Sequence, residues 1–202
     1  EQRARLAAIA QRRGLDPETV AELERSLPAH TRDAVTGFYR AEERVPFVQR
    51  VMAHVAETGE RAHYVEADIA NLGGLNARLG ASGANEAQRE LADTVRKTLE
   101  ATGAQVVPVR NGGDEVSFTV IGAEDAAVDA ALARADRRAQ AISKARGLSD
   151  LPHPKGGAPG VGIVYAASRI GPKDSLDALF RRTDQQVEAR KRATADGYRA
   201  RV

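Results

Sequence analysis

"PVRNGGDEVSF", residues 108 to 118, sets one short apolar run against another across Asn111-Gly112-Gly113-Asp114. Asn-Gly and Gly-Gly supply the positive φ angles that tight turns between antiparallel strands require, so the stretch reads as a β-hairpin. On the downstream side Val116, Phe118 and Val120 alternate with Ser117 and Thr119, the period-two pattern of a half-buried strand. Upstream, Val106, Val107 and Val109 make a second β-branched run. Most such hairpins carry no chemistry. This one puts two acids, Asp114 and Glu115, at its turn, and what they could hold depends on the rest of the chain.

Composition narrows the choice. A chain of 202 residues can bury one good core, with room for an added helical segment. It has no cysteine, which excludes disulfide and thiolate-metal frameworks. No apolar run approaches a membrane span, and Glu1-Gln2-Arg3 does not open a signal peptide, so a soluble protein is expected. The single Met is Met52, and the missing start residue suggests a fragment of a larger multidomain protein. The pI of about 9.1 hints at nucleic acid. The net charge is only +2, however, and Arg and Glu interleave along helical stretches, as on an ordinary solvated surface. With four Tyr, four Phe and no Trp there is little material for base stacking, and a nucleic-acid partner is not expected. The histidines at 30, 54, 63 and 153 show no ligand spacing.

Along the chain, residues 1 to 29 read as a helical linker or cap, with Asp16 and Pro17 placed to start its second helix. A helix follows over about 41–57, where Phe47, Val51 and Val55 lie four apart. "RAHYVEADI" is a strand ending near Asp68. A short helix over about 71–79 and a longer one over about 84–102 come next, the latter closed by Gly103. After the hairpin an Ala- and Arg-rich helix covers about 125–146. "GLSDLPHPKGGAPG", with three prolines and four glycines in fourteen residues, is a loop. "VGIVYAA" is a buried strand, and "DSLDALFRRTDQQVEARKR" an amphipathic helix capped by Asp174 or Ser175. The order is that of an α+β domain, a central and mostly antiparallel sheet layered with helices.

In a β-α-β-β-α-β arrangement the strand ending at Asp68 runs beside the hairpin, so Asp68, Asp114 and Glu115 can meet at one edge of the sheet. Mg²⁺ suits such a place, since it takes oxygen from one or two carboxylates and leaves other positions to water and phosphate. Acids that merely solvate a strand end and a turn would look the same from spacing alone.

Four stretches in register carry a resemblance. Arg110-Asn111-Gly112-Gly113-Asp114-Glu115-Val116 resembles the R-x-G-G-D-E-F signature of the GGDEF family of diguanylate cyclases, differing at the last position. "DAVTGFYR" from Asp33 resembles the family's D-x-L-T-G-L-x-N opening. "DIANLGGLNARLGASGAN" from Asp68 is similar to D-I-D-x-F-K-x-I-N-D-x-x-G-H-x-x-G-D. "GVGIVYA" and "RRTDQQVEARK" resemble the closing strand and helix. The resemblance covers about residues 30 to 198.

It implies a palm-like, ferredoxin-like nucleotide-cyclase fold over 30–202. It also implies that two domains face each other as a homodimer, each with one GTP, and form cyclic di-GMP with Mg²⁺ or Mn²⁺ in the cytoplasm. By the same resemblance Asp68, the Ile69 carbonyl and Asp114 match metal ligands, and Glu115 matches the adjacent catalytic acid. Gly112 and Gly113 let the triphosphate approach the backbone, Asn76 matches a guanine ligand, and Lys191 matches a phosphate-binding lysine. Arg110, the first signature residue, is grouped with the substrate-binding set.

The departures are informative. The family's guanine-binding Asp is Asn85, and the glycine before it is displaced to Gly83. Phe-Lys of the second motif is Leu72-Gly73, and the Gly-Arg expected after the closing lysine is Thr194-Ala195. Where many members carry an R-x-x-D product-binding site, this chain has Gly103 and Val106. Residues 125 to 160 are longer than the family needs. Two further readings therefore stand beside the cyclase: a degenerate domain that binds GTP or a partner protein, and a related cyclase with relaxed base choice.

Overall fold

The computed structural model describes residues 32–153 and 159–199. The helices expected over 1 to 28 lie outside the described residues, as does the middle of the Pro- and Gly-rich loop. The elements are β1 (Tyr39–Arg40), a single 3-10 turn (Ala41–Glu43), α1 (Arg44–Thr58), β2 (Ala62–Ile69), α2 (Leu72–Glu100), β3 (Gln105–Gly112), β4 (Glu115–Ile121), α3 (Asp125–Ala145), β5 (Ile163–Arg169) and α4 (Leu176–Arg199).

The five strands form one sheet in the order β1-β3-β4-β2-β5. Its β3-β4, β4-β2 and β2-β5 pairings are antiparallel, and β1 alone pairs in parallel, Tyr39 opposite Val109. From β2 to β5 this is the split β-α-β-β-α-β arrangement, with β2 between β4 and β5. The expected α+β fold is thus observed.

β2 is central, and its alternation serves both faces of the sheet. Tyr64 and Ala62 pack with Val48, Val51 and Val55 of α1 and Leu179 of α4. Val65, Ala67 and Ile69 face Leu75, Leu91, Val95 and Leu99 of α2 and Leu132 and Ala135 of α3. Each buried leucine contributes about 1.5–3 kcal/mol through apolar burial, so the helices are held mainly by these stripes.

Two helix ends bear on the site. The long α2 is two helices in line, broken at Gly80 (φ 67°, ψ 174°), close to where the sequence divides its short helix from its long one. Its start is Asn71, the one non-glycine residue with positive φ among the described residues, whose side chain accepts the Gly74 N–H at 3.1 Å. α4 is capped by Ser175, whose hydroxyl accepts the Ala178 N–H at 3.2 Å.

Candidate functional site

The register of β2 and β4 decides the site. Asp68 is directly opposite Glu115, and in an antiparallel pair residues opposite each other project from the same face. Backbone bonds extend the pairing past the strand ends, because the Ile69 N–H donates to the Asp114 carbonyl at 2.9 Å and the Ala70 N–H to Gly162 at 3.0 Å. The end of β2 and the hairpin turn therefore form one edge, as the strand order requires.

The turn is held from behind. Arg110 binds both carboxylate oxygens of Asp33 at 3.1 Å, donates to Gln88 Oε1 at 3.1 Å and to the Gly113 carbonyl at 2.7 Å. Gln88 is wholly buried on α2 and donates to that same Gly113 carbonyl. Asp33 in turn accepts from the Thr36 N–H and hydroxyl, so the opening motif is a small folded loop bolted to the signature turn. Arg110 does not line the cleft. It positions Gly113, whose φ of 38° lies in the left-handed region that glycine adopts without strain. A Cβ built at Gly112 or Gly113 would meet nothing within 4 Å, so the backbone there is open to a ligand.

In front of this edge, β2, the hairpin and α4 enclose a cleft of about 320 Å³. Its lining includes Glu66, Asp68, Glu115, Asp184 and Lys191. Lys191 reaches Asp68 Oδ2 at 2.9 Å and Glu188 at 3.1 Å. Burial pushes the Asp68 carboxyl above its ordinary value, Lys191 pulls it back, and the charges of Asp114 and Glu188 push it up again. Lys191 is itself raised despite its burial, because Asp68 and Glu188 favour its charged form. Among the described residues no three His, Cys, Asp or Glu side chains gather as metal ligands. The expected set asks only for Asp68, Asp114 and the Ile69 carbonyl. These are all hard oxygen donors, and the charge of Asp114 acts against that of Asp68, so the donor chemistry fits a divalent cation.

The two residues expected to meet the base are placed differently. Asn76 is exposed, and its amide donates back to the Leu72 carbonyl at 3.0 Å within its own helix. Asn85 is exposed on α2 beyond the Gly80 break. Neither lines the cleft that holds Asp68, Glu115 and Lys191.

Two features have no counterpart in the sequence reading. Glu66, two residues before Asp68 on the same face, accepts from Tyr64 Oη at 2.8 Å and pairs with Arg44 at 2.9 Å. Burial drives its carboxyl up, against those two partners. Period-two counting back from Asp68 would have found it. Asn71 donates its amide to the carbonyls of Leu151, Pro152 and Gly160 at 3.1–3.2 Å, tying the long loop to the start of α2. No local signal announces that contact.

No protein-family model and no curated protein sequence matches the chain. Solved structures do. The GGDEF domain of DgcB from Caulobacter crescentus, crystallised with c-di-GMP, superposes with a TM-score of 0.63 at 18% identity, over 83% of this chain and 93% of that one. The diguanylate cyclase SiaD of Pseudomonas aeruginosa, in complex with its activator SiaC, gives 0.66 at 16% identity, over 96% and 71%. The FimX GGDEF domain from the same organism gives 0.62 at 16% identity, over 83% and 97%. The chain has the fold of GGDEF domains.

Proposed function

We propose that this domain is a diguanylate cyclase-type nucleotidyltransferase that condenses two GTP into cyclic di-GMP and two pyrophosphates. One observation carries the reading: on a GGDEF fold, Asp68 and Glu115 are register partners at the edge that also bears Asp114, with Lys191 beside them. Asp68, Asp114 and the Ile69 carbonyl would hold Mg²⁺, or Mn²⁺ in its place. When bound, the metal orients the phosphates and offsets the charge that develops on them.

The chain's own groups do the rest. The open backbone at Gly112 and Gly113 admits the triphosphate, and Lys191 binds a phosphate oxygen. Glu115, exposed on the cleft side of the turn, accepts the proton of an attacking ribose 3′-hydroxyl. That hydroxyl displaces pyrophosphate from the α-phosphorus of the nucleotide on a facing domain, so the reaction needs a homodimer. GTP as substrate places the protein in the cytoplasm, and no helix among the described residues is long and apolar enough to cross a membrane.

A second reading, a related cyclase with relaxed base choice, is favoured by Asn85 in place of a carboxylate. Incubating the protein with GTP, ATP and Mg²⁺ and identifying the products by mass spectrometry tests both readings. Cyclic di-GMP alone supports the first, mixed or adenine-containing products support the second, and absence of any cyclic product sinks both.

A further inference from the structure

We propose, resting on the metal and phosphate roles assigned above, that Lys191 holds the metal's place in the empty protein, so that the site admits a metal–polyphosphate complex and resists a bare divalent cation. The ammonium sits 2.9 Å from Asp68 Oδ2, the carboxylate that would ligate the metal. Asp68 is 13% exposed and Lys191 34%, so the pair is shielded from water on most sides and is more than a surface contact. An oxygen engaged by an ammonium is a poorer metal ligand, and a cation arriving alone at either oxygen of Asp68 meets the Lys191 charge at close range. To take Oδ2 it has to displace Lys191, which is then left with Glu188, 3.1 Å away.

A polyphosphate changes the balance. If metal and phosphate arrive together, Lys191 exchanges a carboxylate oxygen for a phosphate oxygen and every charge keeps a partner. The helix that carries it need not move. Val187, one turn earlier, is buried, and Arg190 stacks over Tyr165 with its guanidinium 4.6 Å from the ring centre. A rotamer change of the flexible lysine stem suffices. Metal and polyphosphate affinities are then coupled, and the coupling runs both ways.

The test measures Mn²⁺ binding by the electron paramagnetic resonance signal of the free ion, without turnover. Mn²⁺ is titrated alone, and then as its complex with a GTP analogue carrying a methylene bridge between the α- and β-phosphates. Lys191→Gln should bind Mn²⁺ alone roughly ten- to hundredfold tighter than the natural protein, the scale of one charged hydrogen bond removed from competition. It should bind the Mn²⁺–analogue complex more weakly. Lys191→Arg keeps the charge and should bind Mn²⁺ alone as poorly as the natural protein, whatever small loss of stability it brings.

If Lys191→Gln gains nothing for Mn²⁺ alone, or Lys191→Arg gains as much as Lys191→Gln, the place-holding role is wrong even though the metal site stands. Asp68→Asn separates that outcome from a deeper failure. Should Asp68→Asn bind the Mn²⁺–analogue complex as well as the natural protein does, the metal assignment itself falls and this proposal with it.

Discussion

The hairpin turn and the stretch of α2 proposed to meet the base are built to different standards. The turn from Arg110 to Glu115 is fixed by a buried glutamine, an arginine that joins Asp33 to the Gly113 carbonyl, a backbone bond from β2 and an Asn111–Ser117 contact at 2.9 Å. Asn76 and Asn85 are exposed, and the bond shown for Asn76 stays within its own helix. A catalytic edge must hold its groups to fractions of an ångström before substrate arrives. A base pocket can be completed by the base itself. The contrast predicts a protein that preserves the reaction more strictly than the choice of nucleotide.

The largest effect should come from the edge proposed to react. Asp114→Asn keeps the shape of the turn and removes one negative charge, so turnover should fall by roughly two orders of magnitude or more. Asp68→Asn should match it in a product-formation assay. Wild-type turnover in either variant would break the comparison at its stronger end.

On the base side the expected change is in preference. Guanine offers N1–H and a 2-amino group to one carboxylate, whereas an amide has one donor and one acceptor and mismatches one of them. Asn85→Asp should therefore raise the ratio of GTP to ATP incorporation by about ten- to hundredfold. An unchanged ratio at equal nucleotide concentrations would mean that Asn85 does not face the base.

The clamp itself can be tested by stability. Arg110→Met strips partners from Asp33, Gln88 and the Gly113 carbonyl, which should lower unfolding free energy by about 1.5–3 kcal/mol in urea denaturation. An unmoved midpoint would show that the turn does not need its support.

A smaller effect is expected in acid. Burial alone would raise the Asp33 carboxyl, but the Thr36 bonds and Arg110 outweigh it and hold it below its ordinary value. The unfolded chain therefore takes up this proton first as pH falls. The stabilisation is fully present above the ordinary carboxylate range and is lost as pH drops through the folded value. Asp33→Asn should flatten that acid limb when the urea midpoint is followed against pH. The smallest expected effect is none: with Gly103 and Val106 in place of a charged pair, micromolar cyclic di-GMP should not inhibit non-competitively with GTP.

What could be read from the sequence was what neighbours along the chain determine. Asn-Gly-Gly-Asp announces its own turn, Asp68 ends a strand whose alternation is visible, and Gly80 splits a helix where the pattern falters. The clamp was not legible, because Arg110 and Asp33 meet across 77 residues and nothing near either names the other. β1 has two residues and exists only because β3 is beside it. The motif alone groups Arg110 with the substrate ligands. In the fold its guanidinium points to Asp33, Gln88 and Gly113, so its placement supports the turn.

Asn71 leaves one consequence for how such a domain can vary. Its single amide gathers the carbonyls of Leu151, Pro152 and Gly160, and the Gly160 N–H closes onto Leu151 at 2.8 Å. The two stems of the loop are thus stitched together at Asn71, two residues past the end of β2 at Ile69. Variation at the stems is therefore costly: a Cβ at Gly160 would lie 2.6 Å from the Ser149 carbonyl oxygen, and the shift it forces would reach the start of α2 through Asn71.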